Sequence, residues 1–151
     1  MIPPFADTSF LCSLYRAQEF STAADRYMAG RRNKLLISGL VILEFKQSVR
    51  LQVHLKGNDR TKGFSGNERE RILRSFQEDF SKGVLVNLPV DWTQIHHLAE
   101  TLSDKYTEKS GNRMVDILHV ATALHLGASE FLTFDAKQKA LAEAEGLRVP
   151  V

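Results

Sequence analysis

Short apolar runs, each followed by a longer stretch of helical periodicity, constrain the fold of this 151-residue chain more than any other feature. The runs are Pro4 to Ala6, Lys34 to Ser38, Gly83 to Leu88 and Glu130 to Phe134, with Leu147 to Val149 as a last candidate. Strands that alternate with helices and are apolar throughout belong to a parallel sheet covered on both faces. The expected fold is therefore α/β: a three-layer α/β/α sandwich around a central, mainly parallel sheet of four to five strands. The helices expected between the strands run from Ser9 to Ala17, Ser21 to Gly30, Leu40 to Leu55, Asn67 to Ser81, Asp91 to Tyr106 and Ala136 to Glu145. One more, strongly apolar, opens at Gly111 or Asn112 and runs to Leu126, where Gly127 stops it. Leu40, Leu43, Val49 and Val53 are the expected inner positions of the third helix, and Ile72, Leu73, Phe76 and Phe80 those of the fourth. Asp91 is the expected N-cap of its helix. Lys56 to Gly66, with three glycines beside Asn58 and Asp59, reads as a mobile loop bounded by basic helices. The strand Lys34 to Ser38 is bounded by Arg31-Arg32 and Gly39.

Composition fits one globular domain over residues 1–151, with 43% hydrophobic and 25% charged residues, and there is no internal repeat. No apolar run approaches the roughly 18 residues that span a bilayer. The N-terminus lacks the basic start and long apolar stretch of a secretion signal. The single cysteine, Cys12, has no intrachain partner and reads as core filler. These features point to a cytoplasmic protein. The net charge of +2 says little about partners, but its distribution says more. Between Lys46 and Arg74 lie eight basic and three acidic residues. Such a sector suits a polyanion, and it equally suits a solvated helical face.

Four acidic residues stand in apolar surroundings. Asp7 ends the first strand and precedes Phe10-Leu11. Glu44 interrupts Leu40-Val41-Ile42-Leu43 and Phe45. Asp116 lies between Met114-Val115 and Ile117-Leu118, and Asp135 follows Phe131-Leu132-Thr133-Phe134. A carboxylate in such surroundings must be paired, hydrogen-bonded, protonated or bound to a metal. Each has a structural explanation on its own. Asp7 and Asp135 can cap the helices that follow them. Glu44 can pair with Lys46 or Arg50, and Asp116 with Arg113. Together they suit a divalent cation better, and oxygen-only ligands favour Mg²⁺ or Mn²⁺.

At these residues the sequence resembles the PIN-domain ribonucleases, and among them the VapC-type toxins. Asp7-Thr8-Ser9-Phe10-Leu11 after a short strand resembles the family's opening motif. Gly111 to Ala123, with Asp116 at its centre, resembles the helix that carries the third acid. Phe131-Leu132-Thr133-Phe134-Asp135, with Ala136 to Leu141 behind it, resembles the closing strand and last helix. Leu43-Glu44-Phe45 matches the second acid more loosely, and Gly57 to Lys82 is the least similar part. The resemblance implies that Asp7, Glu44, Asp116 and Asp135 are both catalytic and metal-binding, with one cation or two. It also implies an RNA substrate cut to a 5′-phosphate and a 3′-hydroxyl, a small antitoxin partner and a homodimer. Ser9 and Thr133, each two residues from an acid, are expected to orient carboxylates or waters from behind. Arg113 is expected to balance Asp116 rather than bind phosphate.

Other readings fit less well. A haloacid-dehalogenase-type phosphatase needs an acid two residues after the first, where this chain has Ser9. A receiver domain needs an early acidic pair and a late lysine. A non-catalytic RNA-binding module of the same shape stays open, as does an RNA-processing nuclease outside any toxin system. His54, His96, His97 and His125 lack zinc-site spacing, and His119, one turn after Asp116, reads as a packed helix histidine. Trp92 reads as a core anchor.

Overall fold

The computed structural model describes residues 2–29 and 34–151. Among them, four parallel strands form one sheet in the order β3-β2-β1-β4. These are β1 (Phe5–Ala6), β2 (Leu35–Ile37), β3 (Leu85–Asn87) and β4 (Phe131–Leu132). β1 sits centrally, with Phe5 opposite Leu36 on one side and Phe131 on the other, and Ala6 opposite Leu132. Successive strand residues point to opposite faces. Every residue of β1, β2 and β4 is buried, so both faces of the sheet are covered.

Helices supply that cover. α1 (Thr8–Tyr15), α2 (Ser21–Met28), α3 (Gly39–Asn58) and α4 (Gly66–Ser81) pack among themselves. α5 (Trp92–Ser110) packs on α6 (Met114–His125), and α6 on α7 (Ala136–Ala144). Most helix starts carry the side-chain caps that unpaired N–H groups need. Ser38, Ser65 and Asp91 accept from Val41, Glu68, and Thr93 and Gln94 respectively. Aromatic rings tie the first helical group together: Phe45 stacks on Phe76 at 4.9 Å, and Tyr15 touches both. The Tyr15 hydroxyl also donates to Asp79 at 2.6 Å, fixing α4 against α1.

Several sequence expectations change. The run Leu147 to Val149 forms only a bridge, Arg148 with Glu130, rather than a fifth strand. Gly111 does not open α6; at φ 63° it closes α5 as a left-handed C-cap. The buried face of α3 is Val41, Phe45 and Val49, while Leu43 is 62% exposed. Trp92 is also exposed, and lies beside His96 instead of anchoring the core. The segment expected to be a mobile loop is helical to Asn58 and then packs back on α3. There the Phe64 N–H points to Gln52 O, and the Arg16 guanidinium covers the Phe64 ring. The expected helix end at Gly30 and the Arg31-Arg32 boundary lie outside the described residues.

Candidate metal centre

Parallel strands place the residues just beyond their C-terminal ends at one pole of the sheet. Asp7 follows β1 and Asp135 follows β4, its neighbour. Both also cap helices: Asp7 Oδ1 accepts from the Phe10 N–H at 2.9 Å, and Asp135 Oδ1 from the Gln138 N–H at 2.9 Å. Capping and site-building are therefore the same placement for these two acids.

Two hydroxyls join the strand ends. Ser9 donates to Asp7 Oδ1 at 2.8 Å and accepts from the Phe134 N–H at 2.9 Å. Thr133 donates to Asp7 Oδ2 at 2.6 Å and accepts from the Asp135 N–H at 3.0 Å. Gln138 adds a fourth donor to Asp7, from Nε2 to Oδ2 at 2.9 Å. Asp7 is fully buried, and burial pushes its carboxyl up to about 6 even though Thr133, Phe10 and Ser9 act in the opposite direction.

Glu44 and Asp116 come from helices. Glu44 lies on α3 and meets His119 of α6, with Nε2 and Oε1 3.2 Å apart. That bond is the main cause holding Glu44 below the usual carboxylate range, against the opposing effect of partial burial. Asp116 sits in the first turn of α6, where the helix N-terminus favours a negative charge. Burial nevertheless raises its carboxyl. Arg113 Nε, 3.3 Å from Oδ2, opposes the rise, and Asp135 adds to it. Arg113 is itself largely exposed.

Glu44, Asp116 and Asp135 line one cleft of about 430 Å³, together with Thr8, Ser9 and Arg113. Asp7 lies beneath it, in contact with the lining residues Ser9 and Gln138. Among the described residues, no three His, Cys, Asp or Glu side chains are gathered tightly enough to enclose a bare ion. The oxygen-only donor set and the size of the cleft fit a hydrated hard cation instead, held in part through water. The Thr8 hydroxyl helps to hold the Glu44 carboxyl low, while one further oxygen at the cleft, Gln138 Oε1, is buried without a hydrogen-bond partner among the described residues. Such an atom in a native fold calls for a ligand or water.

Sequence reasoning missed Gln138 and Thr8 and gave His119 a packing role. Gln138 had a readable signal: Asp135-x-x-Gln138 has the spacing of a capping box. Thr8 had none, being one hydroxyl among many. Of the eight basic residues between Lys46 and Arg74, Lys62, Arg69 and Arg71 pair with local acids on the exposed faces of this sector.

Comparison with known proteins agrees with the fold. No curated protein matches the chain by sequence. Among solved structures, VapC20 of Mycobacterium tuberculosis, described as a sarcin-ricin loop cleaving toxin, is 19% identical. Its TM-score is 0.59, with 90% of this chain and 92% of that chain covered. The DNA-bound VapBC of Salmonella typhimurium is 13% identical at a TM-score of 0.62, covering 99% and 97% of the two chains. VapBC2 of Rickettsia felis, bound to a promoter fragment, is 16% identical at 0.62, with the same coverages. At these identities the likeness shows a shared fold. The PIN domain family model matches residues 5–144, which takes in all four acids and every element of the sheet and its helices: the chain belongs to the PIN domain family.

Proposed function

We propose that the protein is a metal-dependent endoribonuclease and the toxin of a toxin–antitoxin pair. The observation that carries the reading is the cleft that Glu44, Asp116 and Asp135 line above buried Asp7. Glu44, Asp116 and Asp135 would hold Mg²⁺ or Mn²⁺ from the cleft, and Asp7 would support them from below. A bound cation supplies an acidified water and neutralises phosphate charge. Ser9, Thr133 and Gln138 keep the Asp7 carboxylate fixed while substrate enters. Arg113, exposed at the rim, balances Asp116. Hydrolysis adds the water oxygen to phosphorus, breaks the bond to the 3′-oxygen and passes a proton to that leaving oxygen. The products are a 5′-phosphate and a 3′-hydroxyl.

The structural neighbours crystallised as VapBC assemblies support an antitoxin partner in a separate chain. They also support a toxin role over general RNA processing. A non-catalytic RNA-binding module is the second reading, and it is favoured by the lack, among the described residues, of three acids gathered tightly enough to enclose a bare ion. Incubating the purified protein with labelled RNA separates the two. Cleavage with Mn²⁺ that stops with EDTA, and is absent in Asp135→Asn, is the expected result. RNA binding without cleavage at any Mn²⁺ concentration would establish the module instead.

A further inference from the structure

We infer that His119 is the positioning residue for Glu44: its imidazole, donating from Nε2, holds that carboxylate over the cleft and sets the affinity for the cation. The inference rests on the nuclease reading above. The His119 ring is 1% exposed, yet it reaches from α6 to a side chain of α3 that is 37% exposed. Glu44 is long and flexible, and fixing such a side chain costs rotamer entropy. The bond from His119 supplies that restraint from a buried and therefore rigid anchor.

The tautomer follows from the partners. An ionised carboxylate only accepts, so the proton between the two groups lies on Nε2. Nδ1 is buried and has no hydrogen-bond partner among the described residues. A proton there would be a buried donor with nothing to bond. A bare lone pair on Nδ1 is the less costly arrangement. Leucine would fill the same space without an unpaired nitrogen, so packing alone does not account for an imidazole at this position. The ring also sits one turn after Asp116 on α6. One helix thus carries a site carboxylate and the anchor of another, and their spacing is set by a single helical turn. Gln138 plays the matching part for Asp7 from α7.

The test uses the full chain, His119→Leu and His119→Gln. Long-range ¹H–¹⁵N NMR of the metal-free wild type at pH 8 reads the tautomer. Mn²⁺ titration followed by electron paramagnetic resonance reads affinity, and circular dichroism reads folding. The expected results are an Nε2–H tautomer and a loss of Mn²⁺ affinity of about 10- to 100-fold in His119→Leu. His119→Gln, whose amide can donate to the same carboxylate, should keep most of the affinity. An Nδ1–H tautomer would overturn the inference, as would a His119→Leu variant that binds Mn²⁺ like the wild type. Should the leucine variant not fold, a folded glutamine variant that binds Mn²⁺ no better than Glu44→Ala would also overturn it. A wild type that cleaves RNA while His119→Leu keeps full affinity removes this inference and leaves the nuclease reading standing. A wild type that binds no Mn²⁺ removes both.

Discussion

Gln138 donates from Nε2 to Asp7 Oδ2 at 2.9 Å and so ties the last helix to the end of the central strand. With Ser9, Thr133 and the Phe10 N–H, it brings the donors on the Asp7 carboxylate to four. Burial still dominates, and the carboxyl titrates near 6 instead of its ordinary 3.8. The folded, metal-free protein therefore holds this proton more tightly than the unfolded chain does. The resulting stabilisation is complete below pH 3.8 and is lost as pH rises through about 6. Its size is up to about 3 kcal/mol. Asp7→Asn should remove this pH dependence and match or exceed the wild type in stability at pH 8 in EDTA, because the new amide can donate to Gln138 Oε1 after a flip of the Gln138 amide. Activity should be lost. Paired thermal melts at pH 4.5 and 8, both in EDTA, check the first part, and RNA cleavage the second.

Arg113 is 78% exposed and pairs with Asp116 at 3.3 Å. An ion pair with one exposed partner contributes at most about 1 kcal/mol. Arg113→Ala should leave the melting temperature nearly unchanged, yet alter cleavage because Asp116 loses its balancing charge inside the cleft. A large fall in melting temperature with unchanged cleavage would reverse that assignment.

The Tyr15 hydroxyl bonds Asp79 at 2.6 Å, and burial together with that carboxylate holds the phenol far above its ordinary range. Tyr15→Phe keeps the ring contacts with Phe45 and Phe76 and removes only the bond. Urea unfolding should show a loss of about 2 kcal/mol, the scale of a hydrogen bond to a charged group.

Gly63 and Gly83 share a left-handed backbone but differ in surroundings. A Cβ at Gly63 would lie 1.9 Å from Gln52 O, whereas one at Gly83 meets nothing within 4 Å. Gly83→Ala should cost about 1 kcal/mol, from conformation alone. Gly63→Ala should cost more than about 2 kcal/mol, since conformational strain and a backbone clash add. Equal losses in denaturant melts would show that the segment after Asn58 yields freely.

The strands were legible because a residue buried on both faces leaves an unbroken apolar run, as in Leu35-Leu36-Ile37. Asp7 and Asp135 were legible because a strand end has a defined place in a parallel sheet. The inner face of α3 was misread because Leu43 is apolar and near the right spacing, yet points outward, while Val41, Phe45 and Val49 form the true stripe. Gly111 was assigned to the wrong helix because glycine marks a helix end through its positive φ, and sequence alone does not say which of two adjacent helices it ends. The bond between Glu44 and His119 joins positions 75 apart, on helices whose relative rotation only packing fixes. No local pattern carries that information.

The pairing of Ala6 with Leu132 has a consequence for how this chain can vary. Asp7 lies one step past that pair and Asp135 three steps past it, and neither strand has spare length. A single residue inserted in either strand would carry one carboxylate about 3.3 Å along the strand and turn it to the opposite side. Chain length between Phe5 and Asp7, and between Phe131 and Asp135, is thus held more strictly than side-chain identity there. Deletions and insertions at these two places should silence the protein even where every acid is kept.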